Sequence, residues 1–182
     1  MRSLKKIYLL NIAFILAFQP SFSQRYMSKS SEITFYSKAP MEDIDAVNTK
    51  GTSAFDVKSG NIAFSIPIRS FAFKNKLMQE HFNENYLESE KYPKATFKGK
   101  VTGFKEEGGV QNVSAEGDLT IHGVTKKIIT TGEFEFKEGK IFLKSSFPVA
   151  LQDYKIKIPK IVFYNIAEVI DVNMGFEYTK AN

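Results

Sequence analysis

The sequence predicts an all-β domain, built as an eight-stranded antiparallel β-barrel with one short helix near one mouth. The main evidence is strict alternation of apolar and polar residues, as in residues 61–69, where Ile62, Phe64, Ile66 and Ile68 share one face. Three further segments, 113–122, 127–136 and 170–178, alternate in the same way. One wet face and one apolar face are typical of antiparallel sheet. Closure into a barrel is favoured because it removes strand edges that would aggregate.

The strands follow one another with short turns. Turn signals lie at residues 58–61, 106–109, 122–123 and 138–139, each containing glycine. Together the alternation and the turns predict eight strands, at about 31–37, 51–58, 60–70, 95–104, 110–121, 126–137, 140–149 and 166–179.

Two segments depart from the alternation. Between residues 74 and 87, apolar side chains such as Leu77, Met78 and Phe82 recur at helical spacing, which predicts a short helix followed by a loop over 88–93. Residues 149–165 are irregular and contain the apolar run Ile161, Val162 and Phe163.

Residues 1–23 are typical of a secretory signal peptide: Arg2, Lys5 and Lys6 precede an apolar run of about a dozen residues and a small-residue exit. We therefore expect a periplasmic protein whose domain spans 24–182, with no integral membrane span after cleavage. Without the leader the chain has 22 basic and 20 acidic residues, interspersed, which argues against a nucleic-acid-binding face. The chain has no cysteine, so no disulfide supports the domain.

The predicted inner face indicates a cavity suited to an apolar ligand. Small residues, including Gly99, Gly117 and Gly132, alternate with large apolar ones on that face and leave volume inside the barrel. Inward glycines also serve tight curvature and bulges, so a filled barrel stays open as an alternative. The candidate lipid-binding residues are Phe55, Phe64, Ile66, Ile68, Phe71, Met78, Phe82, Phe97, Leu119, Phe134 and Phe147. Met78 and Phe82 are expected to act as a lid at one mouth.

Three strings resemble the YceI family. Residues 117–126 read GDLTIHGVTK, residues 91–99 read KYPKATFKG, and residues 78–87 read MQEHFNENYL. The resemblance spans about residues 30–180 and implies a lipocalin-like barrel that binds polyisoprenoid-type lipids. The chain departs from the family pattern at residues 32–50, which are shorter and lack a His-Ser element. It also carries SSFP at 145–148, where the family has Ser-Asp-Phe-Gly.

Residues for catalysis are scarce. The two histidines, His81 and His122, lack partners at metal-ligand spacing, and Asp118, Thr120 and His122 are expected to point to solvent. We therefore expect no catalytic residue, no metal and no cofactor.

The leading hypothesis is a carrier of an isoprenoid or other long apolar lipid, such as a quinone tail, with homodimer formation left open. One alternative is a ligand-free barrel that docks a protein partner through residues 150–165, as an interaction or stress-related module. A second alternative is an enzyme acting on a hydrophobic substrate, which would require titratable groups on the inner face.

Overall fold

The computed structural model describes residues 25–37, 44–157 and 167–181. The predicted signal peptide lies outside these residues, and so do Ile161, Val162 and Phe163. Among the described residues, no helix is both long and apolar enough to cross a bilayer.

The described residues form ten strands, one short α-helix, a π-helical turn (Phe82–Tyr86) and two 3-10 turns (Ile68–Ser70 and Leu151–Tyr154). The strands are β1 (Arg25–Ser37), β2 (Ile44–Asn48), β3 (Thr52–Asp56), β4 (Asn61–Pro67), β5 (Ala72–Phe73), β6 (Lys94–Thr102), β7 (Gly109–Ile121), β8 (Val124–Lys137), β9 (Lys140–Ala150) and β10 (Val169–Lys180). Helix α1 (Lys76–His81) lies between β5 and β6.

Eight of the strands close into an antiparallel barrel, which confirms the predicted fold class. The order β10-β9-β8-β7-β6-β4-β3-β1 is joined into a ring by β1 and β10, which pair from Tyr26 opposite Lys180 to Tyr36 opposite Asp171. The two remaining strands are an annex, since β2 pairs with the second half of β1 and β5 pairs with β2. Polar and apolar residues alternate along the barrel strands as predicted, with the apolar face inside.

Several elements differ from the prediction. The strand predicted over 60–70 ends at Pro67 and gives way to a 3-10 turn over Ile68–Ser70, and the strand predicted to begin at 166 begins at Val169. The first strand begins at Arg25 instead of residue 31. Its early residues lack apolar alternation, but Tyr26, Met27, Ser28 and Ser30–Glu32 still pair with β10 around a bulge at Lys29. Strands β2 and β5 were not among the eight predicted, because β2 alternates for only five residues and β5 is only two residues long. The helical segment predicted over 74–87 is an α-helix that begins at Lys76 and continues as a π-helical turn over Phe82–Tyr86. The side chain of Asn75 caps it by accepting hydrogen bonds from the amides of Leu77 and Met78.

One end of the barrel is closed by packed aromatic rings. The ring of Phe55 lies 5.5 Å from Phe104 and 5.3 Å from Phe134, in edge-on contacts. The hydroxyl of the fully buried Tyr178 donates to Ser53 Oγ at 2.7 Å. These contacts fill the end where β3 meets β4 and β8 meets β9, and we call it the closed end.

Tyr26 lies at the same end, with its ring buried and its hydroxyl donating to the carboxylate of Glu106 at 2.7 Å. Burial, followed by this hydrogen bond and the negative charge of Glu106, raises the pKa of Tyr26 to about 12. The phenol is therefore neutral at physiological pH and acts there as a hydrogen-bond donor.

Candidate functional site

The barrel encloses a cavity of about 190 Å³ between the closed end and helix α1. Seven of the eight barrel strands contribute to its wall, the exception being β3. The strands β2 and β5 and the helical segment also contribute. The accessible wall is entirely apolar, although Ser37, Thr96, Thr130, Thr131 and Ser145 are among the residues that form it. For comparison, an engineered apolar cavity of about 150 Å³ stays dry and binds benzene. The barrel is therefore not a solid core.

The helical segment covers the end of the cavity opposite the closed end. The ring of Phe82 stacks on Phe35 at 5.5 Å and also meets Phe71 and Phe73, with centroids 5.6 and 4.9 Å away. Met78, one turn earlier, is also buried and faces the cavity. Since both Met78 and Phe82 belong to the wall, the segment is placed as a lid would need to be. We call this end the capped end.

Ten of the eleven residues predicted for the site lie on the cavity wall. They are Phe64, Ile66, Ile68, Phe71, Met78, Phe82, Phe97, Leu119, Phe134 and Phe147. The exception is Phe55, which is buried and faces inward but does not line the cavity. Its ring belongs to the aromatic packing of the closed end, because β3 is short and reaches only that part of the barrel.

The small inward residues do not all leave open space. A Cβ on Gly99 or Gly117 would meet the ring of Phe97, at 2.6 and 2.8 Å, because this ring lies over both glycines. These two glycines pair with each other across β6 and β7 and accommodate an aromatic side chain. Of the small residues on the predicted inner face, Ala115, Thr130 and Gly132 do line the cavity.

Several wall residues were not predicted as site residues. These include Ile33, Phe35 and Phe73, which lie on strands from which no site residue was selected, and Leu143, which lies on β9, from which one other residue was selected. The pairing of β1 with β2 places Phe35 beside the helical segment. Tyr86 is the one wall residue with a titratable side chain among the described residues. Burial raises the pKa of Tyr86, so its phenol is neutral and unsuited to act as a base.

The prediction that His122 points to solvent is wrong. Its side chain is only 10% exposed, and its Nε2 lies 2.6 Å from a carboxylate oxygen of Glu88. Its Nδ1 lies 3.1 Å from the carbonyl oxygen of Tyr154, and the ring of Tyr92 packs edge-on against it at 4.6 Å. Both ring nitrogens are thus engaged, and His122 ties together the hairpin, the 88–92 loop and the turn after β9. Within the described ranges, no cluster of three His, Cys, Asp or Glu side chains is arranged to hold a metal ion.

Comparison with known proteins identifies the family. A family model described as a YceI-like domain matches residues 25–178, which confirms the resemblance found in the sequence. No curated protein sequence matches the chain.

Solved structures share the fold at low sequence identity. A polyisoprenoid binding domain from Saccharophagus degradans, implicated in plant cell wall breakdown, is 16% identical, with a TM-score of 0.75 over 86% of this chain and 98% of its own. BcnA from Burkholderia cenocepacia is 15% identical, with a TM-score of 0.68 over 81% and 95% of the two chains. The YCEI protein of Campylobacter jejuni is 21% identical, with a TM-score of 0.57 over 91% and 89%.

Proposed function

Because the chain belongs to the YceI family, we propose that it binds one long apolar molecule of the isoprenoid type in the barrel cavity and carries it in the periplasm. The observation that carries this proposal is the wholly apolar wall of a cavity of about 190 Å³. The description of one structural neighbour as a polyisoprenoid binding domain supports the choice of ligand class.

The chemistry of the wall favours a hydrocarbon chain over a polar ligand. Each CH₂ group that leaves water for such a cavity contributes about 0.8 kcal/mol, so every part of an isoprenoid chain that the cavity takes up adds affinity without a hydrogen bond. A sugar or nucleotide would lose its hydration and find no accessible polar atom in return. A ligand-free interaction module would be better served by a solid core, and a cavity of this size argues against that alternative.

Catalysis finds no support on the wall. An enzyme acting inside the cavity would need a group that gives or takes a proton there. Tyr86 is the one titratable wall residue among those described, and its pKa is shifted upward, away from neutrality. We therefore propose binding without chemistry.

The ligand is tested by native mass spectrometry of the mature protein, released gently from cells, followed by lipid extraction. We expect a bound mass that extraction identifies as an isoprenoid, and we expect it to be absent from protein that was unfolded, washed with solvent and refolded. Refolded protein should then take up an added isoprenoid alcohol. Protein that carries no lipid and takes none up would refute the proposal.

Export is tested separately. We propose that residues 1–23 are removed on the way to the periplasm, as their basic start and apolar run indicate. Full-length protein expressed in a bacterial host should then appear in the periplasmic fraction with Gln24 as its first residue. Recovery in the cytoplasm with Met1 intact would contradict this part of the proposal and leave the ligand-binding part standing.

A further inference from the structure

The pairing between β8 and β9 stops halfway along the two strands. Their ladder runs from Lys137 opposite Lys140 to Gly132 opposite Ser145, and it ends there. Both strands continue toward the capped end: β8 stays paired with β7 over residues 124–131, and β9 stays paired with β10 over residues 146–150. Two strand edges therefore face each other without a ladder, and we call the space between residues 127–131 and 146–150 the β8–β9 window.

Local sequence accounts for the place where the ladder ends. Pro148, which pairs with Asp171 of β10, has no N–H to donate toward β8. A proline is tolerated in a strand only where the neighbouring ladder does not need that donor. At the ladder's last step, the hydroxyl of Ser145 donates to the carbonyl oxygen of Thr131 at 2.7 Å and takes over a bond that a further backbone pair would make.

The window is bounded at both ends. Toward the closed end it stops at the Ser145–Thr131 hydrogen bond. Toward the capped end, the turn after β9 crosses to the β7–β8 hairpin. There Lys126 Nζ lies 3.3 Å from Asp153, and the Nδ1 of His122 lies 3.1 Å from the carbonyl oxygen of Tyr154. The opening is thus a slot in the barrel wall and not a split along its whole length.

The cavity reaches the window from inside. Ile128, Thr130, Thr131, Phe147 and Val149 belong both to the two window edges and to the cavity wall. Ile128 and Phe147 face inward yet are only partly buried, whereas Phe134 and Leu143, farther along the same strands where the ladder is intact, are 1% and 5% exposed. Val149, the third large apolar side chain at the window, is 4% exposed, so Ile128 and Phe147 are the inward apolar side chains that leave part of their surface uncovered at this slot.

The two ends of the barrel offer less access. The closed end is filled by the rings of Phe55, Phe104 and Phe134. The capped end is covered by Phe82, which contacts three other phenylalanine rings. Moving either cluster would separate many apolar contacts. At the window, by contrast, the β8–β9 ladder has already ended, at Gly132 opposite Ser145, so no ladder pair has to open there.

We propose that the β8–β9 window is a lateral portal, through which a chain-like apolar ligand enters the cavity between the two strands. This inference rests on the proposed function. The apolar edge formed by Ile128 and Phe147 suits the passage of a hydrocarbon chain. Backbone groups beyond the end of the β8–β9 ladder can form hydrogen bonds with a polar end of the ligand, whereas the accessible cavity wall is apolar and cannot.

The portal can be tested by bridging it, because the chain has no cysteine of its own. The variant I129C/S146C, in the mature protein, places one thiol on each edge of the window and keeps Pro148. A short bis-methanethiosulfonate reagent joins the two thiols, and a reductant releases them. The control variant, E116C/I129C, shares one thiol and is bridged across the intact β7–β8 ladder, where Glu116 lies opposite Ile129. Uptake is followed with retinol, a fluorescent isoprenoid alcohol.

Bridging the window should slow retinol uptake by about tenfold or more, and reduction should restore the original rate. Protein loaded before bridging should keep its retinol, and the bridged control should load at the unbridged rate. Equal uptake rates before and after bridging the window, or equal slowing in the control, would overturn the portal. If the unbridged protein binds neither retinol nor any other isoprenoid alcohol, the proposed function itself fails, and that outcome is distinct from a failure of the portal alone.

Discussion

Filling the cavity with a side chain should abolish ligand binding without destabilising the barrel. Ala115 lies on the inner face of β7, opposite Val101 and Thr130 on the flanking strands, and its side chain meets the cavity. In A115F, the new ring would remove about 100 Å² of apolar surface from water, which at about 25 cal/mol per Å² is worth about 2.5 kcal/mol. In a solid core the same ring would be overpacked and would cost about 1–3 kcal/mol.

The sign of the change in the free energy of unfolding therefore distinguishes a cavity from a solid core. Urea unfolding followed by circular dichroism measures it, and retinol titration measures binding. A matched control is A46F, because Ala46 is 1% exposed, lies between Phe35 and Phe73 in the sheet order and is not on the cavity wall. We expect A46F to lose about 1–3 kcal/mol. An A115F protein that is equally destabilised and still binds retinol would refute the reasoning.

Three further predictions concern the lid and the closed end. The double variant M78D/F82D should weaken retinol binding, because it places charge on the cavity wall, while far-ultraviolet circular dichroism should still report the barrel; L77D, on the exposed side of α1, should leave binding unchanged. Removing the Tyr178 hydroxyl in Y178F should lower the urea-unfolding free energy by about 1 kcal/mol, and no loss would mean that its hydrogen bond contributes nothing. Since the pKa of Tyr26 is raised from 10.0 to about 12, its contribution is complete below pH 10 and is lost as pH rises toward 12. Stability should therefore fall less steeply with alkaline pH in Y26F, and identical slopes would contradict this assignment.

Most of the fold follows from the alternation in the sequence, because a two-residue period fixes which face of each strand is apolar. The alternation of Ile62, Phe64 and Ile66 predicted both a strand and its inner face, and all three line the cavity. Strand β2 was not predicted although its partner, the second half of β1, directly precedes it in the sequence. Five residues contain too little alternation to stand out.

The site was harder to predict because burial alone does not tell a wall residue from a packed one. Phe55 and Phe134 both face inward on barrel strands, yet only Phe134 meets the cavity, since the depth of each residue along the barrel axis decides the outcome. Gly99 likewise reads as open volume in the sequence, whereas in three dimensions the ring of Phe97 covers it. Pro148 is the one sequence signal for the β8–β9 window, and its meaning depends on a register that only the structure supplies.

The most direct test of the central claim is a methyl NMR titration of isoleucine-labelled mature protein with an isoprenoid alcohol. The cavity wall carries Ile66, Ile128 and Ile170, whereas Ile141 is fully buried at the closed end and Ile129 lies on the outer surface. The account predicts that the first three methyl signals shift on binding and that those of Ile141 and Ile129 stay in place. Shifts confined to Ile129, or no shifts at all, would contradict a ligand held inside the barrel.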